Sequence, residues 1–255
     1  MTQGDTFLIA FLSSKRTQGV YALASNYGGL VARLILQPIE ESSRNYFGKL
    51  LASKETKPSK EDVEKASENL GAILRVYSIF SIIIAAGGPV LAPILLKIVV
   101  GARWEGTGVE DVLGAYCYYI PLLAFNGLTE AFVSSVATKA EINRQSAWML
   151  TFSAGFGGAA YYFLGVLNLG AKGVVYANVI NMAFRIIWSL SFIKGYFRRN
   201  GTEFKFITFR PEPMSFASGL AIFLLLSRFE VFTTEEPLDQ IFKGGLLILA
   251  AIIMS

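Results

Sequence analysis

Arg33, Glu130 and Arg185 stand inside stretches of sequence that are otherwise apolar, and each keeps a helical spacing from nearby amide side chains. Asn26, Arg33, Gln37 and Glu41 follow one another at intervals of 7, 4 and 4, which places them on one face of a helix. Asn126, Glu130 and Ser134 repeat every four residues, and Asn178, Asn181 and Arg185 are spaced 3 and 4 apart. An ionisable side chain in lipid is costly, so it is expected to face a partner, a hydrated cavity or a substrate path. Two guanidinium groups suit a phosphate or diphosphate, because the planar fork of arginine matches phosphate oxygens. The chain has no histidine. That removes His-dependent triads, His zinc sites and the commonest general acid–base group.

Other readings of the same charges stand beside this one. Arg33 is five residues from the expected end of its span, roughly 8 Å at about 1.5 Å per residue, and could snorkel to the surface. Arg185 lies nine residues before Lys194, roughly 13 Å deep on the same scale, where escape is harder. Glu130 is open to a structural role as partner of either arginine. Arg75, at a span boundary, reads as an interface anchor.

These residues must be positioned by membrane helices. Of the 255 residues, 53% are hydrophobic and 16% charged, too few charges to cover a soluble core of this size. Val76–Leu96 and Gln145–Ala171 run for 21 and 27 residues without a charge, each enough to cross a bilayer as a helix. The pattern predicts an all-α, polytopic membrane bundle of about seven spans. A partial span covers Phe7–Leu12, and further spans cover Val20–Pro38, Ile73–Leu96, Val112–Ala137, Ala147–Leu167 and Val174–Ile193. Two weaker ones cover Met214–Ser227 and Ile241–Met254. Residues 1–255 form a single helical lobe in this reading, with 1–14 as the partial span.

The excess of basic residues, a net charge of +4, sits in the loops between spans, which argues for membrane orientation and against a nucleic-acid partner. Thirteen Lys and Arg fall in the segments 39–72, 138–146 and 194–213, against seven on the opposite side. The bias places 39–72 and 194–213 as cytosolic loops. Ala52–Asn69 reads as a solvated linker with a short surface helix. The single cysteine, Cys117, lies inside a span and excludes an intrachain disulfide. Gly155–Ala160 matches GxGxxA, but no strand precedes it, so close helix packing is expected rather than a dinucleotide site. Gly87-Gly88-Pro89 with Pro93 predicts a kinked or broken helix. Asn200-Gly201-Thr202 has the form of a glycosylation sequon on the expected cytosolic side.

Several segments are specific enough to carry a family resemblance. Gln18-Gly19-Val20-Tyr21, then Ala32-Arg33-Leu34-Ile35-Leu36-Gln37-Pro38-Ile39-Glu40-Glu41-Ser42, resembles the Rft family of endoplasmic reticulum proteins. Asn126-Gly127-Leu128-Thr129-Glu130-Ala131-Phe132 and Ala177-Asn178-Val179-Ile180-Asn181-Met182 with Arg185 are similar to the same family, in order over about 180 residues. The resemblance implies a fold of the superfamily of multidrug, lipid and polysaccharide exporters, with two helical lobes, about fourteen spans and a central cavity. This chain would then be the C-terminal lobe, and its partners would be the bilayer, a dolichyl-diphosphate oligosaccharide and an N-terminal lobe of the same protein.

The function implied is work in N-glycan precursor assembly, needed for moving Man5GlcNAc2-PP-dolichol from the cytosolic to the luminal leaflet of the endoplasmic reticulum. Arg33 and Arg185 would neutralise the diphosphate, while Asn126, Asn178 and Asn181 would hydrogen-bond sugars and the polyprenyl tail would stay in lipid. Gln37 and Glu130 complete the candidate substrate-binding set. No ATP-binding motif is present, no cofactor is implied, and transport rather than catalysis is expected. Two alternatives remain open: a non-transporting accessory protein of glycan assembly, and an exporter of another substrate with Glu130 as its ion-coupling carboxylate. A membrane glycosyltransferase is disfavoured by the lack of histidine and of an aspartate-rich metal motif.

Overall fold

The structure, a computed structural model, describes residues 14–51, 58–101, 106–205, 213–228 and 237–253. The partial span at Phe7–Leu12 lies outside the described residues. Regular structure among the described residues is entirely helical. In chain order the helices are α1 (Lys15–Val31), a π-helical turn (Ala32–Leu36), α2 (Gln37–Leu51), α3 (Lys60–Val100) and α4 (Val109–Val136). They continue with α5 (Lys139–Tyr161), a second π-turn (Tyr162–Val166), α6 (Ala171–Arg199), α7 (Pro213–Arg228) and α8 (Pro237–Ile253).

Local chemistry sets the helix ends. Ser59 caps α3 by accepting from the Asp62 N–H at 3.1 Å, ahead of an acidic first turn of Glu61 and Asp62. Thr138 and Glu141 form a reciprocal capping box at the start of α5. The Glu141 carboxylate also meets Arg199 at 2.8 Å, tying the start of α5 to the end of α6. Gly108 and Gly170 precede α4 and α6 with φ of 87° and 55°, backbone that an L side chain rarely adopts.

Four helices are long and apolar enough to cross a membrane: those at Lys60–Val99, Val109–Val136, Lys139–Val166 and Ala171–Arg199. α7 and α8 are shorter, at 16 and 17 residues. Of the segment expected as a solvated linker with a short surface helix, residues 52–57 lie outside the described residues and 60–69 form the start of α3, which runs 41 residues. Pro89 and Pro93 are contained within it, so Gly87-Gly88-Pro89 does not break the helix as the sequence suggested it could.

α4 is the central element. It packs against α1, α2, α3 and α6, and two rows of its side chains, from Val109 to Val133, are buried. Phe132 anchors one end through edge contacts with Phe47 of α2 and Tyr196 of α6, and a tilted contact with Phe197. At the other end glycines allow close approach: a side chain at Gly28 would collide with the Tyr116 ring, and one at Gly88 would press on Cys117. α7 and α8 form a satellite layer on α3 around Ala86, Ile222 and Leu226. The outer faces are apolar, with Leu150 and Phe242 leaving 75% and 69% of their surface uncovered, as suits contact with lipid. Among the described residues, nothing lies within 4 Å of where a β-carbon at 155, 157 or 158 would sit, so these glycines make no close helix contact there.

Candidate functional site

The seam between α4 and α6 carries the best-defined polar contact inside the bundle. Arg185 donates from Nε to Glu130 Oε1 at 3.0 Å, and from Nη2 to Oε1 and Oε2 at 2.7 and 2.8 Å. Both side chains are about three-quarters buried, at 21% and 24% exposure, so the pair is screened less than a surface bridge but still reachable. Glu130 is therefore the partner of Arg185, one of the two arginines the sequence left open.

The asparagines predicted alongside this pair are buried one helical turn before it. Asn126 precedes Glu130 by four residues on α4, and Asn181 precedes Arg185 by four on α6. The Oδ1 atoms of both are buried with no hydrogen-bond partner among the described residues. A buried carbonyl oxygen left unpaired costs about 1–3 kcal/mol, so these two mark a site that welcomes a donor from elsewhere. Asn178, almost fully buried, donates to the Tyr21 hydroxyl of α1 at 3.5 Å and so serves the helix packing.

Arg33 stands apart. Its Nε donates to the Gly29 carbonyl at 3.3 Å and its Nη2 to the Asn26 carbonyl at 3.1 Å, both on its own helix. The guanidinium thus reaches back toward the start of α1, away from the Pro38 end toward which a snorkelling side chain would point. No hydrogen bond or ion pair joins it to Glu130 or Arg185 among the described residues. Gln37 and Glu41 bond each other at 3.3 Å on the same exposed side.

One acidic residue of the site escaped the sequence reading. Glu40 is half-buried, and its carboxyl lies against Gly127 of α4, where a β-carbon on that glycine would collide with it. It is close enough to Glu130 and Arg44 for their charges to interact. The miss has two parts, and the π-turn at Ala32–Leu36 is one of them. Buried positions step from Gly28 to Leu36, eight residues where a regular helix needs seven, and the inward face of α2 then runs through Glu40, Ser43, Phe47 and Leu51. The other part is the spacing: a 3.6 repeat from Arg33 falls seven residues on, at Glu40, whereas two steps of four overshoot to Glu41. The unusual feature legible in the sequence is Gly127 itself, a residue with no side chain one turn before the buried Glu130.

Cavities lie elsewhere in the bundle. One of about 400 Å³ lies between the ends of α5 and α6, lined by Glu141, Arg144, Trp148, Trp188 and Arg199. The other, about 470 Å³ and almost wholly apolar, is bounded by Gly87, Gly88, Cys117 and Ile248. No cluster of His, Cys, Asp or Glu suited to hold a metal occurs among the described residues.

An apolar helical exterior around a buried, incompletely satisfied polar seam defines a polytopic membrane protein of the transporter-like kind. The chain belongs to the Rft protein family, whose model matches residues 1–255. It is 38% identical over 210 residues to a protein of Yarrowia lipolytica, covering 80% of this chain and 31% of that one. A Candida glabrata relative is 34% identical over 256 residues, covering 97% and 46%, and a Saccharomyces cerevisiae relative is 36% identical over 226 residues, covering 88% and 39%. Each of the three is described as a Man(5)GlcNAc(2)-PP-dolichol translocation protein. The chain thus spans 31–46% of the length of these relatives. No solved structure matches it.

Proposed function

We propose that this protein acts in N-glycan precursor assembly, in the translocation of Man5GlcNAc2-PP-dolichol from the cytosolic to the luminal leaflet of the endoplasmic reticulum membrane. In this reading the chain is one helical lobe of about seven spans, completed by a further lobe of the same protein. The segments 39–72 and 194–213 lie on the cytosolic side. Arg185 contacts the diphosphate, and Arg33 contributes a second guanidinium from the uncovered side of α1. Gln37 belongs to the same exposed side of the chain. Asn126 and Asn181 offer unpaired carbonyl oxygens to sugar hydroxyls, Asn178 lines the same seam, and the polyprenyl tail remains in lipid.

The observation that carries this reading is the Glu130–Arg185 pair with its unsatisfied asparagines, in a chain of this family. A pair that needs no further ligand would be surrounded by satisfied amides; this one is flanked by two buried acceptors with none. Rocking of one lobe against another around such a site would give each leaflet access in turn.

The test is N-glycan site occupancy in cells that depend on this protein, complemented with wild type or with Arg185→Glu at matched abundance. Loss of occupancy with the variant supports diphosphate contact at Arg185. Normal occupancy at normal protein level overturns it.

A further inference from the structure

The cavity of about 400 Å³ between the start of α5 and the end of α6 takes no part in the proposed function, and its lining is chemically one-sided. Glu141 is the one acid lining it among the described residues, and both of its oxygens are taken. Oε1 meets Arg199 Nη1 at 2.8 Å, and Oε2 accepts from the Thr138 N–H and hydroxyl at 2.9 and 3.0 Å. Arg144 lines the same cavity, is exposed, and has neither an ion pair nor a hydrogen bond among the described residues. Arg199 carries N–H donors beyond the Nη1 group that Glu141 meets. The indoles of Trp148 and Trp188 are donors only, and the Ser191 hydroxyl can donate as well. The polar groups left over are donors around a net positive charge, which calls for a negatively charged ligand rich in acceptors.

The surroundings of the cavity narrow that ligand to a lipid. It lies at the first turns of one membrane-length helix and the last turns of another, and aromatic rings lead away from it along both. Trp148 stacks on Phe152 at 5.8 Å, and Phe152 on Phe184 of α6 at 5.9 Å. Phe152 is eight residues past Arg144, roughly 12 Å further along α5 at about 1.5 Å per residue. Trp148 and Phe184 leave 43% and 53% of their surface uncovered, so an acyl chain can lie along these rings while its headgroup stays at the arginines. We propose that the cavity binds an anionic glycerophospholipid, its phosphate held by Arg144 and Arg199 and an acyl chain following Trp148, Phe152 and Phe184 into the bilayer. Basic pockets between membrane helices suit anionic headgroups, and tryptophan rings favour the depth at which those headgroups sit. A choline headgroup fits less well: its cation would meet two guanidinium groups, and Arg199 already lies 5.9 Å from the centre of the Phe192 ring. The site is independent of the Glu130–Arg185 pair, and only its assignment to the cytosolic leaflet rests on the topology proposed above.

The experiment is native mass spectrometry of the full-length protein in mild detergent, titrated with equimolar phosphatidylinositol and phosphatidylcholine. Wild type should retain phosphatidylinositol in preference to phosphatidylcholine. Arg144→Gln should weaken phosphatidylinositol binding about fivefold, the change expected from losing one basic residue at the membrane surface. That side chain is exposed and bonds nothing among the described residues, so the variant should fold as wild type does. Lys60→Gln removes the same charge from the exposed start of α3, outside the cavity, and should leave binding unchanged. Arg185→Glu, which disables the proposed diphosphate contact, should also retain phosphatidylinositol, so the two sites fail separately. Equal retention of the two lipids, or equal losses with Arg144→Gln and Lys60→Gln, overturns the proposal. Displacement of bound phosphatidylinositol by an equimolar prenyl-diphospho-N-acetylglucosamine probe overturns it as well, and makes the cavity a site for the translocated lipid.

Discussion

Neutralising the ion pair one side at a time should produce an asymmetric cost that reports the third charge beside it. Fully buried pairs cost about 3–5 kcal/mol when one partner is lost, and exposed ones about 0–1 kcal/mol. With three N–H···O contacts of 2.7–3.0 Å and side chains about three-quarters buried, Glu130→Gln should destabilise the fold by about 2 kcal/mol. That is roughly a thirtyfold change in the folded-to-unfolded ratio. Arg185→Gln should cost more, about 3 kcal/mol, because it leaves the Glu130 carboxylate without its guanidinium while Glu40 stands near. The double substitution Glu130→Gln/Arg185→Gln removes both charges and should return to within about 1 kcal/mol of wild type, since two amides can bond each other. Reversible unfolding in mixed micelles gives the cycle, and N-glycan occupancy in complemented cells gives function. The double variant should be stable and inactive. Equal costs for the two single variants would refute the role given to Glu40, and full glycosylation by the stable double variant would refute contact between Arg185 and substrate.

Further outcomes follow from other contacts. Gly127→Val should destabilise by about 1–3 kcal/mol through its clash with the Glu40 carboxyl, and adding Glu40→Ala should recover most of that in a thermal unfolding assay. Arg33→Gln should leave the melting temperature nearly unchanged, because the side chain is exposed and bonds only its own helix, yet should lower glycan occupancy. Thr138→Ala should cost about 1 kcal/mol of stability by dismantling the capping box of α5, with glycosylation retained in the protein that folds.

The class of the protein was legible because bilayer thickness imposes long uncharged runs; Val76–Leu96 lies within α3, and Gln145–Val166 of the second run lies within α5 and its π-turn. Glu130 and Arg185 were legible because a charge in an apolar helix needs a partner, and the two prove to be each other's. Glu40 was not, because steps of four through Arg33 drift about 40° each from the 3.6 repeat and land on Glu41, and the π-turn at Ala32–Leu36 shifts the buried face of α1 by one more residue. The fate of Arg33 was hidden for a related reason. Its side chain bonds the carbonyls of Gly29 and Asn26 around that same turn, where irregular backbone geometry replaces the regular ladder. The glycines at 155, 157 and 158 have no close neighbour among the described residues, and small residues permit close packing without requiring it. Pro89 and Pro93 likewise permitted a break in α3 that the helix does not make.

The most direct test of the account is leaflet-resolved quantification of Man5GlcNAc2-PP-dolichol in cells depleted of the full-length protein. The intermediate is probed with a membrane-impermeant glycosidase or lectin on sealed microsomes. The account predicts that it accumulates on the cytosolic face and that wild type, but not Arg185→Glu, clears it. Accumulation on the luminal face, or no accumulation at all, would contradict a role in translocation.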